Sequence, residues 1–169
     1  MASQAVDTWI KHVQLNRHVE GGWYSEVYRS ALTIPEQALK PFFPGDRSAC
    51  THIYFLLEKE NFSAFHRIRS DEIWHFYSGD PITVYEIDAT GNLTAHLLGN
   101  DPSKGHSLCC VIKANSWFAS RVADGGEYGL AGCTVAPGFD FNDFELAFSK
   151  ELSTQFPEHT KLINSLCRQ

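Results

Sequence analysis

The side chains best suited to chemistry lie in one short stretch, Phe65-His66-Arg67-Ile68-Arg69-Ser70-Asp71-Glu72-Ile73-Trp74-His75-Phe76. It reads as a strand, a tight turn and a second strand, with an imidazole on the first and a carboxylate plus another imidazole on the second. Such groups on paired strands can bind a metal, move a proton or hold a polar ligand. Strand alternation puts Ala64, His66 and Ile68 on one face and Glu72, Trp74 and Phe76 on one face of the next strand. With both faces turned inward, His66 and Glu72 meet among apolar groups. Burial raises a carboxyl's pKa and a neighbouring imidazolium lowers it, which tunes the pair toward neutral pH. His75 points to the other face and joins the pair only across a bulge.

The elements that must position these groups are mostly strands. From Cys50 onward, short apolar runs alternate with turn signals: 51–58, 63–69, 72–77, 82–88, 93–98, 107–113, 117–122 and 128–135. Gly79-Asp80-Pro81, Thr90-Gly91-Asn92, Ala114-Asn115 and Asp124-Gly125-Gly126 punctuate them. Regular spacing of this kind predicts a mainly antiparallel sandwich or barrel. A helix is expected from about Ser3 to Leu15, with Val6, Ile10 and Val13 on one face and Ser3 as its cap. Gly21-Gly22 ends that pattern before a strand at 23–29, and 35–46 reads as a surface excursion rich in proline and charge. The tail from about 149 to 166 is helical, restarting at Pro157. The 169 residues are read as one domain, with a barrel core at about 20–147.

Composition narrows the partners. A net charge of −6 argues against a nucleic acid, whose phosphates need a basic face. No apolar run reaches the roughly 20 residues that span a bilayer, and Met1-Ala2-Ser3-Gln4 lacks the charged start of a secretory signal. Cys50, Cys109, Cys110, Cys133 and Cys167 are odd in number and lack metal-site spacing, so reduced thiols in a cytoplasmic protein are expected.

The chain resembles the cupin superfamily at two places. The first cupin motif, His-x-His followed by Glu and then Gly, is matched by His66, Glu72 and Gly79, with Ile68 at the second histidine. The second, Pro-x-Gly-x-x-His, is loosely matched at 113–118, with Asn115 at the glycine and Phe118 at the last histidine. Asparagine tolerates the left-handed backbone a tight turn requires. Two of the four usual metal ligands are thus apolar. The resemblance is closer to one branch, the uncharacterised cupin-5 or DUF985 family. It is carried by Glu20-Gly21-Gly22-Trp23-Tyr24, Ile53-Tyr54-Phe55-Leu56-Leu57, Asp71-Glu72-Ile73-Trp74-His75 and Pro137 to Leu146. It implies a double-stranded β-helix jelly roll with short terminal helices, a homodimer, and kinship with epimerases of dTDP-4-keto-6-deoxy sugars. An outer strand at 20–29 would then set Glu26 and Arg29 beside the neighbour's site.

The functional expectation is a small-molecule ligand in the barrel, with isomerase- or epimerase-like chemistry on a carbohydrate or related metabolite. His66 serves as base, Glu72 orients it or carries the proton, and a tyrosine among Tyr54, Tyr77, Tyr85 and Tyr128 can stabilise the enolate. Ile68, Trp74, Phe76, Phe118 and Tyr54 are the candidate ligand contacts. No cofactor is assigned, and a divalent metal is possible. If a divalent metal binds, His66, Glu72 and His75 are its candidate ligands. A non-catalytic binder that has lost its metal site and a metal-dependent oxygenase or isomerase are the alternatives. Arg47, Arg67, Arg69 and Arg121 leave room for a nucleotide.

Overall fold

A computed structural model of the protein describes residues 4–168. Its elements, in chain order, are α1 (Gln4–His12), β1 (Asn16–Arg17), β2 (Trp23–Arg29), β3 (Thr33–Ile34), α2 (Glu36–Leu39), β4 (Arg47–Ser48), β5 (Thr51–Glu58), β6 (Phe62–Arg67) and β7 (Asp71–Gly79). There follow β8 (Ile82–Ile87), β9 (Leu93–Leu98), β10 (Cys109–Ile112), β11 (Trp117–Val122), β12 (Tyr128–Ala136), β13 (Glu145–Leu146), α3 (Ser149–Gln155) and α4 (Thr160–Leu166). The helix cap expected at Ser3 lies outside the described residues. The first helix stops short of Leu15, and Gln14, at φ 53°, adopts a left-handed conformation incompatible with its continuation.

The strands form two antiparallel sheets, ordered β1-β2-β5-β12-β7-β10 and β13-β6-β11-β8-β9, with β3 and β4 a separate pair. This is the mainly β jelly roll that the strand spacing and the cupin resemblance predict. All eight expected strands form, the 107–113 run shortened to β10. The inner faces bury Phe55, Leu57, Ile68, Trp74, Val84, Phe118 and Cys133 in one core. The outer face of the larger sheet is not left to solvent throughout, because α1 lays Val6 against Leu56 and Leu130. On the smaller sheet, α3 and α4 bury Leu152, Ile163 and Leu166 against Phe65 and Ala119. Both faces of β5 are therefore apolar, with Phe55 and Leu57 inward and Leu56 outward, a pattern that hides the in–out parity of the strand in the sequence.

Two turns decide where the polar groups fall. Asn115 holds φ 64° between β10 and β11, the left-handed turn expected there. The other turn is His18 to Gly22, closed by Gly21 N–H donating to His18 O at 3.2 Å and His18 N–H to Gly22 O at 3.2 Å. Gly22 has φ 72°, and a side chain there would meet Leu56 O at 2.8 Å. The glycine lets the chain pass tightly over β5 and turn Glu20 inward. Glu20 O then accepts from Ala64 N–H at 2.9 Å, fastening the turn to β6. A buried ion pair, Arg47 Nε to Asp143 Oδ2 at 2.6 Å and Nη2 to Oδ1 at 2.7 Å, ties β4 to the segment after β12.

Candidate functional site

A cavity of about 340 Å³ opens at one end of the barrel. Its walls come from β2 (Tyr24, Glu26, Arg29), β5 (Thr51, Ile53, Phe55), β6 (His66), β7 (Glu72) and β12 (Cys133, Val135). Ile68, the 18–20 turn and the 139–141 segment complete it. This size lies near the lower end of the roughly 300–1,000 Å³ typical of small-molecule sites.

The carboxylate that contacts the His66 ring is that of Glu20. Glu20 Oε2 lies 3.2 Å from His66 Nε2 and 3.3 Å from His18 Nδ1, so one buried oxygen bridges two imidazoles. Its other oxygen, Oε1, accepts from Ser63 Oγ at 2.9 Å. His66 Nδ1 sits 2.7 Å from Ala64 O. A carbonyl only accepts, so Nδ1 carries the hydrogen. Nε2 of this neutral ring is then a lone pair, and its contact with Glu20 Oε2 is a hydrogen bond when Glu20 holds a proton, in line with the burial that raises Glu20. His18 Nδ1 lies between two groups of Glu20: it accepts from the backbone N–H at 3.4 Å when the ring hydrogen is on Nε2, and donates to Oε2 when the hydrogen is on Nδ1, which leaves Nε2 as a lone-pair nitrogen. Tyr24 packs edge-on against that ring at 4.6 Å between centroids, and Phe141 stacks at 6.3 Å.

Burial sets the protonation states. It pushes His66 down to about 4, against the pull of its Ala64 hydrogen bond, so the ring is neutral at neutral pH. It also lowers His18, opposed by the neighbouring Glu20. The carboxyls move the other way. Burial raises Glu20, opposed by His18 and Ser63. Burial, and then the like charge of Glu20, push Glu72 up to about 8, opposed by Cys133 and Trp74. Glu72 therefore keeps its proton at neutral pH. The Trp74 indole N–H is buried and makes no full hydrogen bond, although it lies near enough to Glu72 to favour its charged form. A neutral imidazole with a free lone pair, an orienting carboxyl and a protonated acid on one wall can together accept and deliver a proton.

The expected site residues divide in position. His66, Glu72 and Ile68 line the cavity. Phe118 is buried behind His66, its ring 4.0 Å from the imidazole, so the apolar residue at the cupin ligand position packs against that ring. Trp74 is core, edge-on to Phe55, and Phe76 is half-buried against the same core. Tyr54 points away from the cavity: Ile53 and Phe55 face inward, so alternation turns it to the outer face beside Tyr77. The cavity's tyrosine is Tyr24, whereas Tyr85 lies near the Arg121 guanidinium and Tyr128 near Trp9 Nε1.

His75 also faces outward, where its Nε2 lies 3.1 Å from Thr134 Oγ1, itself 2.8 Å from His52 Nδ1. It is on the opposite side of β7 from Glu72, so His66, Glu72 and His75 do not converge on one ion. The shift in register between β12 and β7 falls at Leu130/Ala131, beyond His75, and does not rotate it inward. Among the described residues, no group of three or more His, Cys, Asp or Glu side chains is arranged to hold a metal. The donor set thus does not fit the metal that cupins commonly carry, and no step is derived through one. His18 and Glu20 are the site residues that the sequence pattern did not single out. Their signal was the Gly21-Gly22 pair directly after a glutamate.

The family described as the cupin superfamily (DUF985), Cupin_5, matches residues 7–147. The chain belongs to the Cupin_5 family. Within reach of this cupin is an uncharacterised Saccharomyces cerevisiae protein, YML079W, 29% identical over 154 residues, covering 83% of the chain and 72% of the relative. The crystal structure of protein SO0799 from Shewanella oneidensis is 36% identical, with a TM-score of 0.85 over 96% of both chains. A hypothetical protein from Leishmania major is 34% identical, with a TM-score of 0.88 over 100% of both. Oxalate decarboxylase from Bacillus subtilis, at 12% identity and a TM-score of 0.54, shares the fold alone. The family establishes the cupin architecture and leaves the activity open. No helix among the described residues is long and apolar enough to cross a membrane.

Proposed function

We propose that this cupin binds a small carbonyl-bearing metabolite, of carbohydrate or related type, and moves a proton at the carbon next to the carbonyl, as isomerases and epimerases do. The observation that carries this reading is the Glu20 carboxyl bridging His18 and His66 in the cavity wall that also holds the protonated Glu72. His18 Nε2 takes the α-proton, and Glu72 gives its proton to the carbonyl oxygen, leaving a neutral enol. With a hydroxyl on the α-carbon the enol is an enediol; His18 then gives its proton to the former carbonyl carbon while the Glu72 carboxylate takes the proton of the other hydroxyl, which completes an isomerisation and restores both groups. The scheme uses the His18 tautomer whose Nδ1–H donates to Glu20 Oε2 and whose Nε2 is exposed, and His66 fixes Glu20 from the far side. Phe55, Phe139 and Phe141 keep water from the enol.

This scheme transfers the role of base from His66 to His18, because both nitrogens of His66 are already engaged. The test is proton exchange. Metabolites that raise the melting temperature of the protein are incubated with it in D₂O and followed by NMR for loss of the α-proton signal. His18→Ala is expected to slow exchange by about 10²- to 10⁴-fold, the usual worth of a positioned base. A ligand that binds but never exchanges would favour the non-catalytic binder instead.

A further inference from the structure

The rim of the cavity contains a charge arrangement that bears on which ligands can enter. Arg29 is the one arginine or lysine on the cavity wall among the described residues. Each of its three nitrogens already donates once, Nε to Glu26 Oε1 at 3.1 Å, Nη2 to Glu26 Oε2 at 2.8 Å and Nη1 to Phe139 O at 3.1 Å, so its Nε/Nη2 fork is taken while one hydrogen on each Nη stays open. Glu26 thus fills the two-pronged face that a phosphate would otherwise occupy. Asp140, also on the wall, adds a second negative charge near Arg29. None of the other arginines lines the cavity, and the four that the sequence offered for a nucleotide are themselves paired. Arg47 is closed by Asp143, Arg69 leans on Asp143 and Phe42 O, Arg67 is held by Glu145, and Arg121 faces Asp124.

We propose that Glu26 is a specificity-determining residue: by occupying Arg29 it closes the cavity to phosphorylated and nucleotide-linked ligands and reserves it for uncharged hydroxy-carbonyl compounds. The proposal rests on the cavity being the ligand site. An incoming phosphate dianion meets the charges of Glu26 and Asp140 and finds no free cation to offset its desolvation. An uncharged polyol or hydroxy-ketone meets no such barrier and can bond to Glu72, Tyr24 and Thr51.

The pair is nearly half exposed, with side-chain exposures of 45% and 43%, so Glu26 can be replaced without opening the core. The experiment titrates inorganic phosphate and dihydroxyacetone phosphate into the wild type, Glu26→Ala, Glu26→Gln and the double variant Glu26→Ala/Arg29→Ala. Thermal melts check that each is folded. Wild type is expected to bind neither anion measurably. The two single variants are expected to gain at least about ten-fold in affinity for both, and the double variant to lose that gain, as a freed arginine fork requires. Tight phosphate binding by the wild type, no gain in either folded single variant, or a gain that survives loss of Arg29 would overturn the proposal. The outcome is separable from the proton-transfer reading. Phosphate gain without any α-proton exchange leaves this inference standing, and exchange without the gain removes it alone.

Discussion

Replacing Glu72 by glutamine tests whether a protonated carboxyl really lines the cavity. Glu72 is pushed up to about 8 from an ordinary 4.5, chiefly by burial. Above about pH 4.5 the unfolded chain gives up this proton while the native protein keeps it. The native state therefore binds more protons than the unfolded one, and stability falls as pH rises until Glu72 ionises near pH 8. Below about pH 4.5 the group contributes no pH dependence. Each pH unit in the window costs about 1.4 kcal/mol, so between about pH 5 and pH 7 the wild type should lose roughly 3 kcal/mol from this residue. Glutamine keeps the shape and cannot titrate. The difference in unfolding free energy between wild type and Glu72→Gln, read from urea melts at several pH values, should therefore move in favour of the variant by about that amount. Contributions from His66 and His18 are common to both proteins and cancel in the difference. A difference that stays flat from about pH 5 to pH 8 would show that Glu72 is ionised in the native protein, and the acid role assigned to it would fail.

Further outcomes follow from other parts of the molecule. Asp143→Ala leaves Arg47 buried without its partner and should destabilise the fold by about 3–5 kcal/mol in denaturant melts, far more than loss of an exposed ion pair such as Lys59–Glu127. Gly22→Ala forces a side chain into a left-handed position against Leu56 O; it should cost at least about 1–2 kcal/mol and, by displacing Glu20, depress proton exchange beyond the loss in stability. Elemental analysis of untagged protein should find no stoichiometric transition metal, and near-stoichiometric metal that disappears in His66→Ala would restore the metal-dependent reading.

The positions of the strands along the chain, the left-handed turn at Asn115 and the inward faces of His66 and Glu72 were legible because period-two alternation and turn chemistry are local properties. What was hidden was long-range. Glu20 and Ser63 are far apart in sequence, and only the return of the N-terminal turn across β6 brings them together. His18 carries no such signal, since no spacing along a single strand links it to His66. The assignment of Tyr54 failed on parity: α1 covers the outer face of β5, so both faces are apolar and the pattern does not say which one lines the barrel. Trp74 and Phe118 illustrate the same limit, because an inward-facing aromatic can lie in the core behind a cavity wall. The choice of base depended on a single carbonyl, Ala64 O, whose contact with His66 Nδ1 no sequence pattern records.

The most direct test of the account is the state of the two imidazoles, seen by long-range proton–nitrogen NMR of histidine-labelled protein from about pH 8 down to about pH 4. At neutral pH both His18 and His66 are expected to be uncharged and to carry their hydrogen on Nδ1, with His66 staying neutral until about pH 4. A Glu20→Gln variant assigns the His18 signal by shifting it together with that of His66. A His18 ring that is charged at neutral pH, or that carries its hydrogen on Nε2, would contradict its role as the base.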